Sequence, residues 1–127
     1  MSAIEIRLTT KVLTVGADFR SVVIPIVTGA RRPRQEFAFT NPDGTALNLT
    51  SITPHFKLRR AGDTTVINAD DTEMDVDNAV GGLAHYDWAA TDLVDPGLYE
   101  AEIVLDYGSG ITYPMPELIQ YQARLAF

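Results

Sequence analysis

The sequence predicts an all-β sandwich, and three observations carry that prediction. Turn signals recur about every eight to twelve residues, alternating apolar and polar residues fill the intervals, and no stretch sustains a helical period. The clearest interval is Gly82 to Leu105. Ala84, Tyr86 and Trp88 share one face against His85 and Asp87; after a corner, Tyr99, Ala101, Ile103 and Leu105 share a face against Glu100, Glu102 and Asp106. Successive strand side chains point to opposite faces, so each of these segments offers a core one greasy side and solvent one wet side. The corner Asp95-Pro96-Gly97 combines the fixed φ of proline with the free φ of glycine, which suits a type II turn.

Taken in order, Ile4, Ile6 and Leu8 alternate with Glu5 and Arg7 in a short first strand, and Gly16-Ala17-Asp18 marks a turn. Val22, Ile24 and Ile26, with Val23, Pro25 and Val27 opposite, make a strand that is apolar on both faces. Pro25 cannot donate to a ladder, which places this strand at an edge or bulge, and an apolar edge needs a cover. Two readings stand side by side: an arm that adds to a neighbour's sheet, or a strand that covers its own sandwich. Arg31, Arg32 and Arg34 flank Pro33 in a linker, either solvated or gripping phosphate or an acidic partner surface. Residues 1–34 are thus read as an N-terminal arm or extra strands, and 35–127 as the sandwich.

Within the sandwich, Phe37 and Phe39 alternate with Glu36, Ala38 and Thr40, and Asn41-Pro42-Asp43-Gly44 is a strong turn sequence. Leu47 and Leu49 follow, then Ile52, Pro54, Phe56 and Leu58 alternate with Thr53, His55, Lys57 and Arg59. Ala61-Gly62-Asp63 and Gly108-Ser109-Gly110 are further turns, and Thr91-Asp92-Leu93 is read as a single helical turn. Ile111 to Tyr113 opens a strand that Pro114 and Pro116 interrupt, and Ile119, Tyr121, Ala123, Leu125 and Phe127 finish it on one apolar face. Tyr107 is placed on the core side of its strand. Tyr113, beside the prolines, is the aromatic expected to be free, and Tyr99 is expected to hydrogen-bond back across its corner.

Composition narrows the functional classes. One domain of 127 residues without cysteine has no disulfide, thiolate metal site or cysteine nucleophile. No apolar run approaches the roughly 20 residues of a membrane helix, and the N-terminus lacks an export signal's basic start and apolar block. A soluble chain made in a cytoplasm, with no membrane partner, is expected. A net charge of −7 argues against nucleic-acid binding, which needs a basic surface. The charge is unevenly spread: residues 1–60 carry nine basic against four acidic side chains, residues 61–127 one basic against thirteen acidic. Either folding interleaves the two halves, or the chain presents complementary patches to copies of itself or to a neighbouring subunit.

No constellation in the sequence assembles into catalytic machinery. Asp71, Glu73, Asp75 and Asp77 form the candidate cation site, because hard cations want several oxygen ligands. Alternate positions on an extended chain spread carboxylates instead of converging them, and acidic residues commonly guard sheet edges, so neither metal nor cofactor is expected. His55 and His85 lie on polar strand faces without a second histidine at ligand spacing and are expected to face solvent. Glu100 and Glu102 are about 7 Å apart on one strand face with nothing to raise either pKa, which argues against a glycosidase pair. Serines 2, 21, 51 and 109 have no nucleophile elbow, and no glycine loop suits phosphate. The expected function is non-enzymatic.

Asp95-Pro-Gly-Leu-Tyr-Glu-Ala101 resembles the tyrosine corner of immunoglobulin-like domains, with Ala101 where a cysteine stands in antibodies. Trp88 departs from that pattern, lying on the strand before the corner. Asp43-Gly44, Leu49-Thr50-Ser51, Phe56-Lys57-Leu58-Arg59, Gly82-Leu-Ala-His-Tyr-Asp-Trp88 and Pro96-Gly-Leu-Tyr-Glu-Ala-Glu102 are together similar to Ig-like virion modules of tailed bacteriophages, such as the N-terminal domain of siphophage baseplate upper proteins. Asn48 and Ser51 depart from the Asp and Gly usual there, and residues 1–34 have no counterpart. The resemblance implies an antiparallel Ig-like sandwich, to which the alternation of residues 1–34 adds an N-terminal β extension. The resemblance further implies residence in the virion, as a structural or accessory protein of tail tip, baseplate or neck, bound to other virion proteins and to its own copies. A capsid decoration protein and a host-glycan-binding adsorption module are the alternatives. Ile4, Ile6, Leu8, Val22, Ile24, Ile26, Arg31, Arg32 and Arg34 are the expected partner-binding residues.

Overall fold

The computed structural model describes residues 3–8, 11–15, 23–29, 34–41 and 44–125. Nine strands run through them: β1 (Ala3–Leu8), β2 (Lys11–Val15), β3 (Val23–Val27), β4 (Gln35–Thr40), β5 (Thr53–Arg60), β6 (Asp75–Asn78), β7 (Leu83–Tyr86), β8 (Gly97–Gly108) and β9 (Ile111–Arg124). They form a five-stranded sheet in the order β2-β1-β4-β7-β6 and a four-stranded sheet in the order β3-β9-β8-β5. Every ladder is antiparallel except β3 against β9. The protein is therefore the all-β sandwich that the alternation predicts. Among the described residues no helix is long and apolar enough to cross a membrane.

The predicted inward faces fill the space between the sheets. Phe37 and Phe39 from β4, Ala84 and Tyr86 from β7, and Trp88 just beyond it meet Phe56 and Leu58 of β5, Tyr99, Ala101, Ile103 and Leu105 of β8, and Ile119, Tyr121 and Ala123 of β9. Phe56 sits at the centre, with ring centroids 4.4 Å from Tyr86, 5.7 Å from Trp88, 5.8 Å from Phe37 and 6.2 Å from Tyr121. Trp88 stands edge-on to Tyr121 at 5.1 Å and 88°. Edge-to-face aromatic pairs of this kind add about 0.5–1.5 kcal/mol each beyond the area they bury.

Two hydrogen-bond systems lock this core to its loops. The Tyr99 hydroxyl donates to the Asp95 carbonyl at 2.6 Å, the expected bond back across the corner, and accepts from Arg60 Nη1 at 3.2 Å. The Arg60 guanidinium also lies over the Tyr99 ring, 5.1 Å from its centroid, and donates to the Pro96 carbonyl. The second system was not legible in the sequence. Buried Asn68 accepts from the Leu58 amide at 2.9 Å and donates to the Phe56 carbonyl at 2.7 Å and to the Tyr86 hydroxyl at 3.1 Å. Tyr86 in turn donates to the buried Asp92 carboxylate at 2.5 Å, which also accepts from the Ala89 amide. Burial first, and the Asp92 carboxylate second, push the Tyr86 phenol well above its ordinary pKa.

Several expectations are corrected. Thr91-Asp92-Leu93 is part of a hydrogen-bonded turn, closed by the Asp92 amide on the Ala89 carbonyl, and makes no helix. Pro114 and Pro116 do not interrupt the last strand. β9 runs through them, and a register shift absorbs the disruption: Glu102 faces Leu118 while Val104 faces Pro114. Tyr107 is exposed because the β8–β9 hairpin runs past the covered core, and Leu125 is exposed because β9 has already ended. Tyr113 is half-buried and packs against the core. Phe127 lies outside the described residues.

The N-terminal segment builds into its own chain. β1 is paired on both sides, by β2 and by β4, with Ile4 opposite Phe39 and Ile6 opposite Phe37. β3 lies parallel to β9 and ends its sheet, with Pro25 on this outermost strand as expected.

Candidate functional site

The chemistry-bearing side chains concentrate on the outer face of the five-stranded sheet, around His85. Period-two alternation along β7 sends Ala84 and Tyr86 inward and His85 outward. On one side of β7, β4 brings Glu36 opposite His85 in the ladder; on the other, the edge strand β6 brings Asp75 opposite it. The β6–β7 register shifts between Val76 and Asn78, leaving Asp77 without a ladder partner. Asp87 follows two residues after His85.

His85 is consequently not the solvent-facing residue expected of a polar strand face: its side chain is only 9% exposed. The edge strand and its carboxylates roof the ring. Nδ1 lies 2.8 Å from both carboxylate oxygens of Asp77, and Nε2 lies 3.2 Å from Asp87 Oδ2 and 3.4 Å from Asp75 Oδ2. Arg34 closes the fourth side, with Nη1 3.5 Å from Nε2 and Nε donating to Glu36 at 3.1 Å. Burial alone would lower the imidazole pKa. The hydrogen bond and charge of Asp77, helped by Asp87 and opposed by Arg34, outweigh burial and leave it raised. A surface hollow lined by Arg34, Glu36, Phe37, Asp77, Leu83 and Ala84 adjoins this cluster.

Of the acidic ladder, Asp75 and Asp77 come to the histidine, whereas Asp71 and Glu73 do not join the cluster. Met74 turns into the core between them, and Glu73 bridges β5 at His55. Asp87 was missed by sequence reasoning. The His85-Tyr-Asp87 spacing was the available signal, and it needed the β6 register to acquire meaning. His55 is half-buried with Nδ1 2.9 Å from the Thr72 hydroxyl. Glu100 accepts from the Gly62 amide and faces Arg59 at 3.8 Å.

The partner-binding residues divide. Ile24 is a core residue and Ile26 packs against the core, so neither side chain is offered to a partner. Ile4, Ile6 and Leu8 lie in a strand already paired on both sides. Arg34 belongs to the His85 cluster. Val22, Arg31 and Arg32 lie outside the described residues. Of the described strands of this segment, β2 and β3 are the outermost in their sheets. Protein-family models give no match to this chain, and no curated protein matches it.

Proposed function

We propose that this chain is a non-enzymatic assembly module of a tailed-phage virion, an Ig-like sandwich that joins other virion proteins, and copies of itself, through its sheet edges. One observation carries the reading. The sandwich closes one edge with its own chain and leaves the N-terminal edges outermost. Along β5, the Phe56 amide bonds the Thr72 carbonyl at 2.7 Å, Met74 bonds Pro54 at 2.9 Å and Ile67 bonds Leu58 at 2.7 Å. Residues 67–74 therefore cover that edge. β6, the edge of the other sheet, is acidic and exposed along its length, a common defence against unwanted pairing. β2 and β3, at the opposite ends, carry no such acidic guard: their sequences are Lys-Val-Leu-Thr-Val and Val-Ile-Pro-Ile-Val. Strand addition there suits an adaptor.

The burial of Tyr86, Trp88, Tyr99 and Tyr121 supports a core role for aromatics that would otherwise serve as a glycan platform. The sequence likeness to baseplate modules favours the tail over the head. Fractionating purified particles tests the assignment: the chain is expected in tails in fixed stoichiometry. Its recovery on DNA-filled heads from a tailless mutant would instead make it a decoration protein, and its absence from both would overturn the virion reading. Specific binding on a glycan array would transfer the role to adsorption.

A further inference from the structure

We propose that His85, Asp75 and Asp87 bind one divalent transition-metal cation, with Asp77 as the residue that positions the imidazole. The three donor atoms lie within 4.8 Å of one another. Nε2 is 3.2 Å from Asp87 Oδ2 and 3.4 Å from Asp75 Oδ2. Zinc bonds of about 2.0–2.1 Å set tetrahedral donors roughly 3.3 Å apart, so both nitrogen–oxygen pairs are at ligand spacing. One imidazole nitrogen and two carboxylate oxygens suit zinc, nickel or manganese. Calcium, which wants six to eight oxygens, fits poorly.

A second feature separates this site from an acidic edge. An edge guard needs only exposed charge, whereas here the donor ring is nine-tenths buried and held in one orientation. Both oxygens of Asp77 engage Nδ1, fixing that nitrogen as the N–H and turning Nε2 towards Asp75 and Asp87. Carboxylate–histidine–metal arrangements orient their ligands in the same way. The metal takes the lone pair of an unprotonated Nε2, so a proton held there by the imidazolium form leaves to solvent on loading. Arg34 Nη1 must also swing away from its place 3.5 Å from Nε2, which is open to it because its side chain is 47% exposed. Asp75 and Asp87 are 74% and 64% exposed, so the remaining coordination positions face water. The bound cation would tie the edge strand β6 to the segment just beyond β7.

Calorimetric titration of untagged, chelator-stripped full-length chain with zinc sulfate tests the site. One equivalent should bind, with no comparable heat from calcium. His85→Gln should abolish binding, and Asp77→Asn should weaken it about 10–100-fold. His55→Gln, Asp71→Asn and Glu73→Gln should bind as wild type. Because His85→Gln also removes contacts that seat β6, Asp87→Asn at an exposed position is the second variant, expected to lose at least about tenfold with an unchanged circular dichroism spectrum. Nitrogen NMR should show the His85 Nε2 resonance moving on zinc addition while Nδ1 stays protonated. Absence of saturable binding at about 0.1 mM zinc, wild-type affinity in folded Asp87→Asn, or an unmoved Nε2 resonance would each overturn the proposal.

Discussion

A β-carbon added to Gly82 would stand 2.5 Å from the Phe39 carbonyl oxygen and 2.8 Å from that of Leu47, on a backbone with φ of +69°. Both obstacles are main chain, so neither moves cheaply, and left-handed backbone adds its own strain. Gly82→Ala should cost about 2 kcal/mol or more in denaturant unfolding, with the slope unchanged. At the corner, Tyr99→Phe should cost about 1 kcal/mol by removing the bond to the Asp95 carbonyl. Combined with Arg60→Ala, its effect should fall short of the sum, since Arg60 donates to the same hydroxyl and covers the same ring. Tyr99 was legible in the sequence because its partner lies four residues away, within one turn motif. His85 was not: its surroundings come from Arg34, Asp75 and Asp77 as well as nearby Asp87, and alternation along one strand says nothing about what a neighbouring strand lays beside it.

At the scale of elements, alternation revealed faces reliably where a strand had one covered side, as in β5 and the inner run of β8. It could not reveal neighbours. The parallel pairing of β3 with β9 and the pairing of β6 alongside β7 are facts of strand order. The same limit hid the Asn68–Tyr86–Asp92 chain, whose members are separated by 18 and 6 residues. That chain fastens the segment covering β5 to β7 and to the turn at residues 90–93. Tyr86→Phe leaves the Asn68 amide and the Asp92 carboxylate each one partner short, and should cost about 1–3 kcal/mol. Hydrogen exchange gives the sharper reading: the Phe56 and Met74 amides, bonded to Thr72 and Pro54, should lose protection while the β8–β9 ladder keeps its own. Uniform loss across both sheets would mean that the polar chain does not act on the edge cover.

For the whole molecule, the charge asymmetry along the chain is partly resolved by folding. Lys57 pairs opposite Glu102 and Arg59 opposite Glu100, so the basic half of the sequence meets the acidic half across one ladder. The exposed acidic run at residues 70–77 remains, beside the covered edge and on the guarded one. The outermost strands without acidic residues are β2 and β3, and in the proposed assembly role their edges carry the contacts. Val23 is 52% exposed on β3, the outermost strand of its sheet, and a lysine there charges that edge without entering the core. The decisive measurement is the amount of Val23→Lys chain incorporated into purified particles, relative to wild type, with its thermal unfolding followed in parallel. A loss of at least about tenfold in incorporation at unchanged stability is expected if the β3 edge joins a neighbour. Full incorporation of a normally folded Val23→Lys chain would contradict that role.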